Sequence, residues 1–397
     1  MTASAGWDGT LRPDADGVAV FDDLSAVESL WRALETTGIG SPYQRFDWVR
    51  AYTETCAAPA GIAPRIVVLL DAGGRPAALL PLGIVRRGVA IASFLGGKHA
   101  NFKGPLLATP DAISASDLTR RLVALGRGRL GVDLFSFTNM PVALSGAPNP
   151  LAIDGRPSPS DAYGLALMPS GDDLLERTLS KGARKKMRNK ERVLSALGPL
   201  QYRVAGDEAD VSALVAAFLQ QKHERFRSLG LPNPFAGAEV EAFLVAAGRA
   251  GLAEGRPAIE WHGLMVGDRV AAVFGAAVDA RRCSGMVISF DPNPLIAKTS
   301  PGDILLQHVL RANCAAGLER FDLGVGEARY KDALCPEVEP LVDRFLPVTA
   351  KGQAAAPLFA AAQHLKRKIK RSPQAWSLVE RARKLLAHSP PAKRSAA

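Results

Sequence analysis

Two short stretches of this chain recur at almost one spacing, and that repetition limits the fold more than any single motif does. Gly74-Arg75-Pro76-Ala77-Ala78 resembles Asp268-Arg269-Val270-Ala271-Ala272, and Gly131-Val132-Asp133-Leu134 resembles Arg320-Phe321-Asp322-Leu323, both pairs separated by about 190 residues. One such match is noise, but two at nearly the same shift point to a duplicated unit. The chain has 397 residues, more than one hydrophobic core normally organises. The expectation is therefore two similar units in tandem.

The local patterns say what each unit contains. Residues 24–54 place apolar side chains at helical spacing, with a break at Gly38-Ile39-Gly40 and a restart at Ser41-Pro42. Residues 65–70 and 75–85 are aliphatic and flank Asp71-Ala72-Gly73-Gly74, which predicts a hairpin; 91–95 predicts a strand, 116–125 a helix and 132–137 a strand. The second half repeats this order. Residues 174–197 read as one helix, 200–204 as a strand, and 211–229 and 239–249 as helices. A hairpin follows over 258–265 and 269–278 across Val266-Gly267-Asp268, then a strand at 285–290, a helix at 303–314 and a short strand at 321–323. Mixed α/β units with helices flanking a sheet are expected.

Hydrophobic residues make up 47% and charged residues 22%, which suits a folded protein and excludes a disordered or collagen-like one. The apolar run 270–278 is about half of the roughly 20 residues that a membrane-spanning helix needs. The acidic start lacks a leader pattern, so a cytoplasmic location is expected. Cys56, Cys283, Cys314 and Cys335 lie far apart, without the close pairs of zinc or redox sites, and no histidine has metal-ligand spacing; no metal is expected. The net charge of +10 resides wholly in residues 351–397, where eleven Lys or Arg face Glu380 alone. A basic body of the kind that coats DNA is thereby excluded.

Two basic segments remain. Residues 181–192 carry seven basic side chains and one acid, without aromatic residues to stack on bases, so tRNA is a secondary partner and DNA is not expected. In the tail, Leu358, Ala362, Leu365 and Ile369 share one helical stripe among Lys366, Arg367, Lys368, Lys370 and Arg371. Such a helix fits an anionic membrane surface through residues 358–394, or it packs on the body. Elsewhere, Ser300-Pro301-Gly302 opens a helix whose unpaired N–H groups would suit a pyrophosphate, although the same residues start helices of any kind.

Taken in order, Ser41-Pro42-Tyr43-Gln44 with Trp48, Phe102-Lys103-Gly104-Pro105-Leu106, Lys222-His223-Glu224-Arg225-Phe226, Ser300-Pro301-Gly302, Phe321-Asp322-Leu323-Gly324 and Tyr330-Lys331 resemble the FemAB-like and CelD-like branch of the GNAT acyltransferases, including the BioF2-like acetyltransferase domain type. The resemblance spans about residues 20 to 345. It implies a disordered N-terminus (1–19), a degenerate N-terminal GNAT-like domain (20–165), a catalytic C-terminal GNAT-like domain (170–350) and a basic helical tail (351–397). It also implies an acetyl-CoA-dependent acyltransferase acting on an amine or hydroxyl of a small molecule or glycan, a polysaccharide precursor or a cell-envelope intermediate. A Fem-like aminoacyl-tRNA-dependent transferase and a non-catalytic assembly protein that keeps the fold are the alternatives.

The same resemblance assigns roles. A thioester donor would lie in a gap between two splayed strands, its pyrophosphate on Ser300, Pro301, Gly302 and Asp303, although Asp303 would repel it unless turned away. His223 is the candidate base, Asp322 its orienting partner or a base itself, and Tyr330 the proton donor to the leaving thiolate. Lys222, Arg225 and Lys331 are substrate-side charges. The expected location is cytoplasmic, peripheral to the inner face of the membrane if the tail binds there.

Overall fold

The computed structural model describes residues 13–327, 329–372 and 375, with the side chains of Arg329, Tyr330 and Asp332 left aside. In the first half, β1 (Val18–Phe21), β2 (Ala63–Leu70), β3 (Pro76–Arg87), β4 (Val89–Phe94), β5 (Leu106–Leu107), β6 (Leu134–Pro141), β7 (Arg156–Pro157) and β8 (Ala162–Ala166) are joined by α1 (Glu28–Thr37), α2 (Phe46–Tyr52) and α3 (Ala115–Leu125). The second half holds α4 (Gly171–Thr178), α5 (Lys181–Ser195), β9 (Leu200–Val204), α6 (Glu208–Leu229), α7 (Ala238–Arg249), β10 (Ile259–Val266), β11 (Arg269–Val278) and β12 (Arg282–Phe290). It continues with α8 (Pro301–Ala315), β13 (Arg320–Val325), α9 (Arg329–Leu334), β14 (Glu337–Glu339), β15 (Leu341–Pro347) and α10 (Ala350–Arg371). The fold is mixed α/β, in two sheets flanked by helices.

The first sheet runs β1-β2-β3-β4-β6-β15-β7 with β5 on β3, and the second runs β9-β10-β11-β12-β13-β8-β14. Both contain four antiparallel strands, then one parallel neighbour (β6 on β4, β13 on β12), then an antiparallel strand. The repeated sequences fall on equivalent strands. One pair opens β3 and β11, and the other leads into β6 and β13.

The closing strand of each sheet comes from the other half of the chain. β8, expected at the end of the first domain, pairs with β13, whereas β15, expected in the second, pairs with β6. The chain cannot be cut at 165–170 into two complete sheets. At the N-terminus, Val18–Phe21 pairs in register with β2, so order begins before the expected boundary at residue 20. Residues 174–197 are not one helix: the chain turns at Leu179, and the Ser180 hydroxyl restarts it as α5 by accepting from the Ala183 N–H.

A shared core joins the halves. Trp48 on α2 meets Phe243 on α7 edge-on at 5.1 Å, and Tyr52 meets the same ring at 5.9 Å. Beside them the buried Arg45 guanidinium donates to the carbonyls of Pro257 and Val278 at 2.8 Å and of Arg256 at 2.9 Å. These bonds satisfy a loop of the second half with a side chain of the first.

Helix α10 belongs to the body as far as Arg371. It packs on β15, β6 and β4, and the Thr349 hydroxyl caps it while donating to Asp133. A Cβ placed on Gly352 would lie 1.8 Å from the Asp133 carbonyl oxygen. Gly352→Ala is therefore expected to cost about 1–3 kcal/mol through forced displacement of this helix. The urea midpoint measures it, and an unchanged midpoint would show that α10 is not seated on β6 as described.

Candidate active site

The parallel pair at the centre of the second sheet is very short. Arg282, Cys283 and Ser284 of β12 face Arg320, Phe321 and Asp322 of β13, after which β12 continues to Phe290 and β13 to Val325 with no further pairing between the two. A wedge-shaped gap opens there. Against β11, β12 is irregular at the same level, since Gly285 faces Ala276 and Val287 faces Gly275, leaving Met286 without a partner.

One buried polar chain closes the narrow end of the wedge. Asp322 is fully buried; its Oδ1 accepts from the Ser284 hydroxyl at 2.9 Å and from the Gly324 N–H at 2.7 Å, and its Oδ2 from Arg282 Nε at 2.7 Å. Because Ser284 donates to Asp322, the Tyr43 hydroxyl, 2.9 Å away, donates to Ser284. Asn101 completes the line by donating to Tyr43 at 2.7 Å and to the Gly285 carbonyl at 3.0 Å. On the other side Arg282 and Arg320 both donate to Glu339 at 2.7 Å, and the Arg282 guanidinium lies over the Phe102 ring at 4.3 Å.

Burial raises the Asp322 carboxyl above its ordinary value, against the pull of Arg282. Burial also raises the Tyr43 phenol, and the neighbouring Asp322 charge adds to it. Glu339 is held below its ordinary value by Arg282 and Arg320, although burial opposes them. Gly324 adopts φ +71°, and a Cβ there would lie 2.4 Å from Asn101 Nδ2, so the bend near the end of β13 needs glycine. Lys331 is buried and donates to the carbonyls of Gly324 and Val325 at 3.1 Å each, with burial pulling its amine down to about 8.

Helix α8 begins alongside the free part of β12, where Gly302 packs against Ile288. Ser300 holds a left-handed backbone (φ 55°, ψ 57°) and makes no side-chain cap; its hydroxyl instead accepts from Lys190 of α5. The same Lys190 opposes the burial that raises Asp303. The basic helix thus supplies positive charge beside a helix start whose own sequence offers none. Lys181, Lys185, Lys186, Arg188 and Arg192 of α5 are exposed.

The remaining expected residues divide. His223 is exposed on α6, two positions from Gln221, which accepts from Ser289, and from Arg225, which covers Phe290, so its side chain leaves the helix on the side away from β12. Asp322 cannot orient it: both carboxylate oxygens are engaged inside the sheet. Lys222 packs over Phe218 and Phe235, and burial together with Arg225 lowers it to about 8. The backbone of Tyr330 lies in α9, but its side chain is outside the described residues. Among the described residues no cluster of His, Cys, Asp or Glu could hold a metal ion.

Sequence reasoning missed Tyr43, Asn101, Arg282, Ser284 and Glu339 as participants. Tyr43 and Ser284 meet across 241 positions, and no local pattern signals such a meeting. A cavity of about 990 Å³, lined among others by Arg45, Phe102, Arg282, Arg320 and Glu339, lies at the opposite end of the strands from Ser300.

Residues 181–332 match a family model described as an acetyltransferase (GNAT) domain. No curated protein matches the chain by sequence. Among solved structures, FemX is 7% identical over 83% of this chain and 97% of its own, with a TM-score of 0.53. The C-terminal DUF2156 domain of an Agrobacterium fabrum protein assigned as a lysylphosphatidylglycerol synthetase is 14% identical over 86% and 96%, at 0.51. A conserved protein of unknown function from Bacteroides thetaiotaomicron is 11% identical over 82% and 99%, also at 0.51. At these identities the likeness is one of fold.

Asp322→Asn leaves Arg282 buried with half its counter-charge, which should cost roughly 3–5 kcal/mol. Thermal unfolding in parallel with turnover checks this; an unaltered melting temperature would mean that the carboxylate does not carry the ion pair.

Proposed function

We propose, on the premise that this chain is an acyltransferase with a GNAT-type domain over residues 181–332 in a FemAB-like fold, that it transfers an acetyl group from acetyl-CoA to an amine or hydroxyl of a glycan or cell-envelope precursor. The observation that carries the reading is the parting of β12 from β13 after three residue pairs, directly beside the start of α8. A parted parallel pair accepts an extended thioester arm as a substitute strand partner, because its edges present unpaired backbone groups. Met286, opposite no residue of β11, places a backbone N–H where a developing oxyanion could be met.

The chain's own residues would then divide the work. Ser300, Pro301 and Gly302 hold the donor's pyrophosphate, with Lys190 giving the charge that offsets Asp303. His223 takes the proton from an acceptor that approaches along the solvent side of α6. Lys222 and Arg225 sit on the same turn, on the acceptor side. Tyr330 returns a proton to the thiolate. Lys331 fixes the end of β13 that borders the gap. Asp322 acts through Arg282 and Ser284 as a positioning residue.

A second reading rests on α5, whose exposed cations would suit the phosphates of an aminoacyl-tRNA donor. Titration calorimetry separates the two. With acetyl-CoA, saturable binding is expected, weakened roughly tenfold in Lys190→Glu, a loss of about 1.4 kcal/mol, with the melting temperature unchanged. Absence of binding to acetyl-CoA, together with strongly salt-dependent binding of tRNA that the α5 alanine variants abolish, would replace the first reading with the second.

A further inference from the structure

Helix α10 carries six basic residues and no acidic one, and its two sides have different fates. On the inner side Gly352 and Ala355 are buried and Phe359 stacks on Phe345 at 5.9 Å. Its C-terminal half is tied down by Arg367 donating to the Ser158 carbonyl, Lys370 to the Ser160 hydroxyl at 2.9 Å and Arg371 to Asp161 at 3.4 Å. The helix is held along its length. Its outer side is left to solvent: Ala354, Leu358, Ala361 and Leu365 follow at intervals of four, three and four residues, with Leu358 71% and Leu365 58% exposed. Lys368, also exposed, lies three positions beyond the second leucine and beside the stripe, whereas Lys366 stands on the inner side, where its charge acts on Lys103 and Asp343.

We infer that this outer face of α10 docks the protein on an anionic lipid surface. The stripe is narrow, with two leucines two turns apart between alanines, which suits shallow insertion among headgroups rather than a deep groove. Charge selects the occupant. A second copy meeting this face would set Lys368 and the net positive charge of the helix against the same charges, a repulsive arrangement, whereas an anionic bilayer complements them. The sequence beyond, residues 372–397, adds five basic residues against Glu380 and keeps the same sign. Because the helix is clamped to the first sheet, the body would lie close against the bilayer instead of hanging from a tether. This inference does not rest on acyl transfer.

Sedimentation of the full chain with vesicles tests it, comparing phosphatidylcholine alone with an equimolar mixture of phosphatidylcholine and phosphatidylglycerol, at low and high salt. Binding is expected only with phosphatidylglycerol and only at low salt. The pair Leu358→Glu and Leu365→Glu, and separately Lys368→Glu, should each weaken it about tenfold or more while leaving melting temperature and elution volume unchanged. Binding that ignores lipid charge, or that both variants retain, overturns the proposal. So would a leucine variant that melts several degrees lower or changes oligomeric state, since the face would then be covered by the chain itself or by a second copy.

Discussion

A carboxylate with no exposure to solvent must be answered by fixed partners, and the arrangement around Asp322 follows from that requirement. Arg282 supplies the counter-charge, Ser284 and the Gly324 N–H supply hydrogen bonds, and Ser284 in turn needs the Tyr43 hydroxyl from the other half of the chain. Each partner fixes a different piece of backbone. Arg282 and Ser284 are the first and third residues of β12, Gly324 is the turn of β13, and Tyr43 belongs to the segment before α2. Satisfying one charge thus locks the two strands together at their start and leaves them to separate beyond it.

The first half contributes more than a scaffold to this arrangement. Gln44, next to Tyr43, accepts from the Ser41 N–H and hydroxyl and donates to the Phe102 carbonyl, so the Ser41 to Gln44 segment and the loop around Phe102 brace one another. Asn101, one residue before Phe102, then reaches the Gly285 carbonyl. Degenerate in its expected chemistry, the first unit furnishes the wall of the second unit's gap.

Much of the fold was legible because its signals are local. The hairpins declared themselves through Asp71-Ala72-Gly73-Gly74 and Val266-Gly267-Asp268, and Gly74 and Gly267 do take positive φ there. The duplication was readable for a similar reason, since each copy keeps its own turn chemistry. The exchange of closing strands was not, because β8 and β15 would look the same in sequence whichever sheet received them. Asp322 could be singled out by its place before a glycine turn, but its partners could not, and pairing it with His223 mistook a buried structural carboxylate for a reachable one. The break at Leu179 and Ser180 was hidden by apolar spacing that continues across it.

Strand exchange bears on how the chain is made. A ribosome adds about 5–20 residues per second, and some 200 residues separate β6 from β15, so the growing chain carries an open β6 edge for roughly 10–40 seconds. During that interval the first sheet holds an unpaired row of N–H and carbonyl groups, the kind of edge that recruits other strands. The seven-residue strand Leu341–Pro347 ends that exposure, and α10 then covers it. Completion of the first sheet is thus deferred until nearly all of the second has been synthesised, so the two halves mature together rather than in the order in which they emerge.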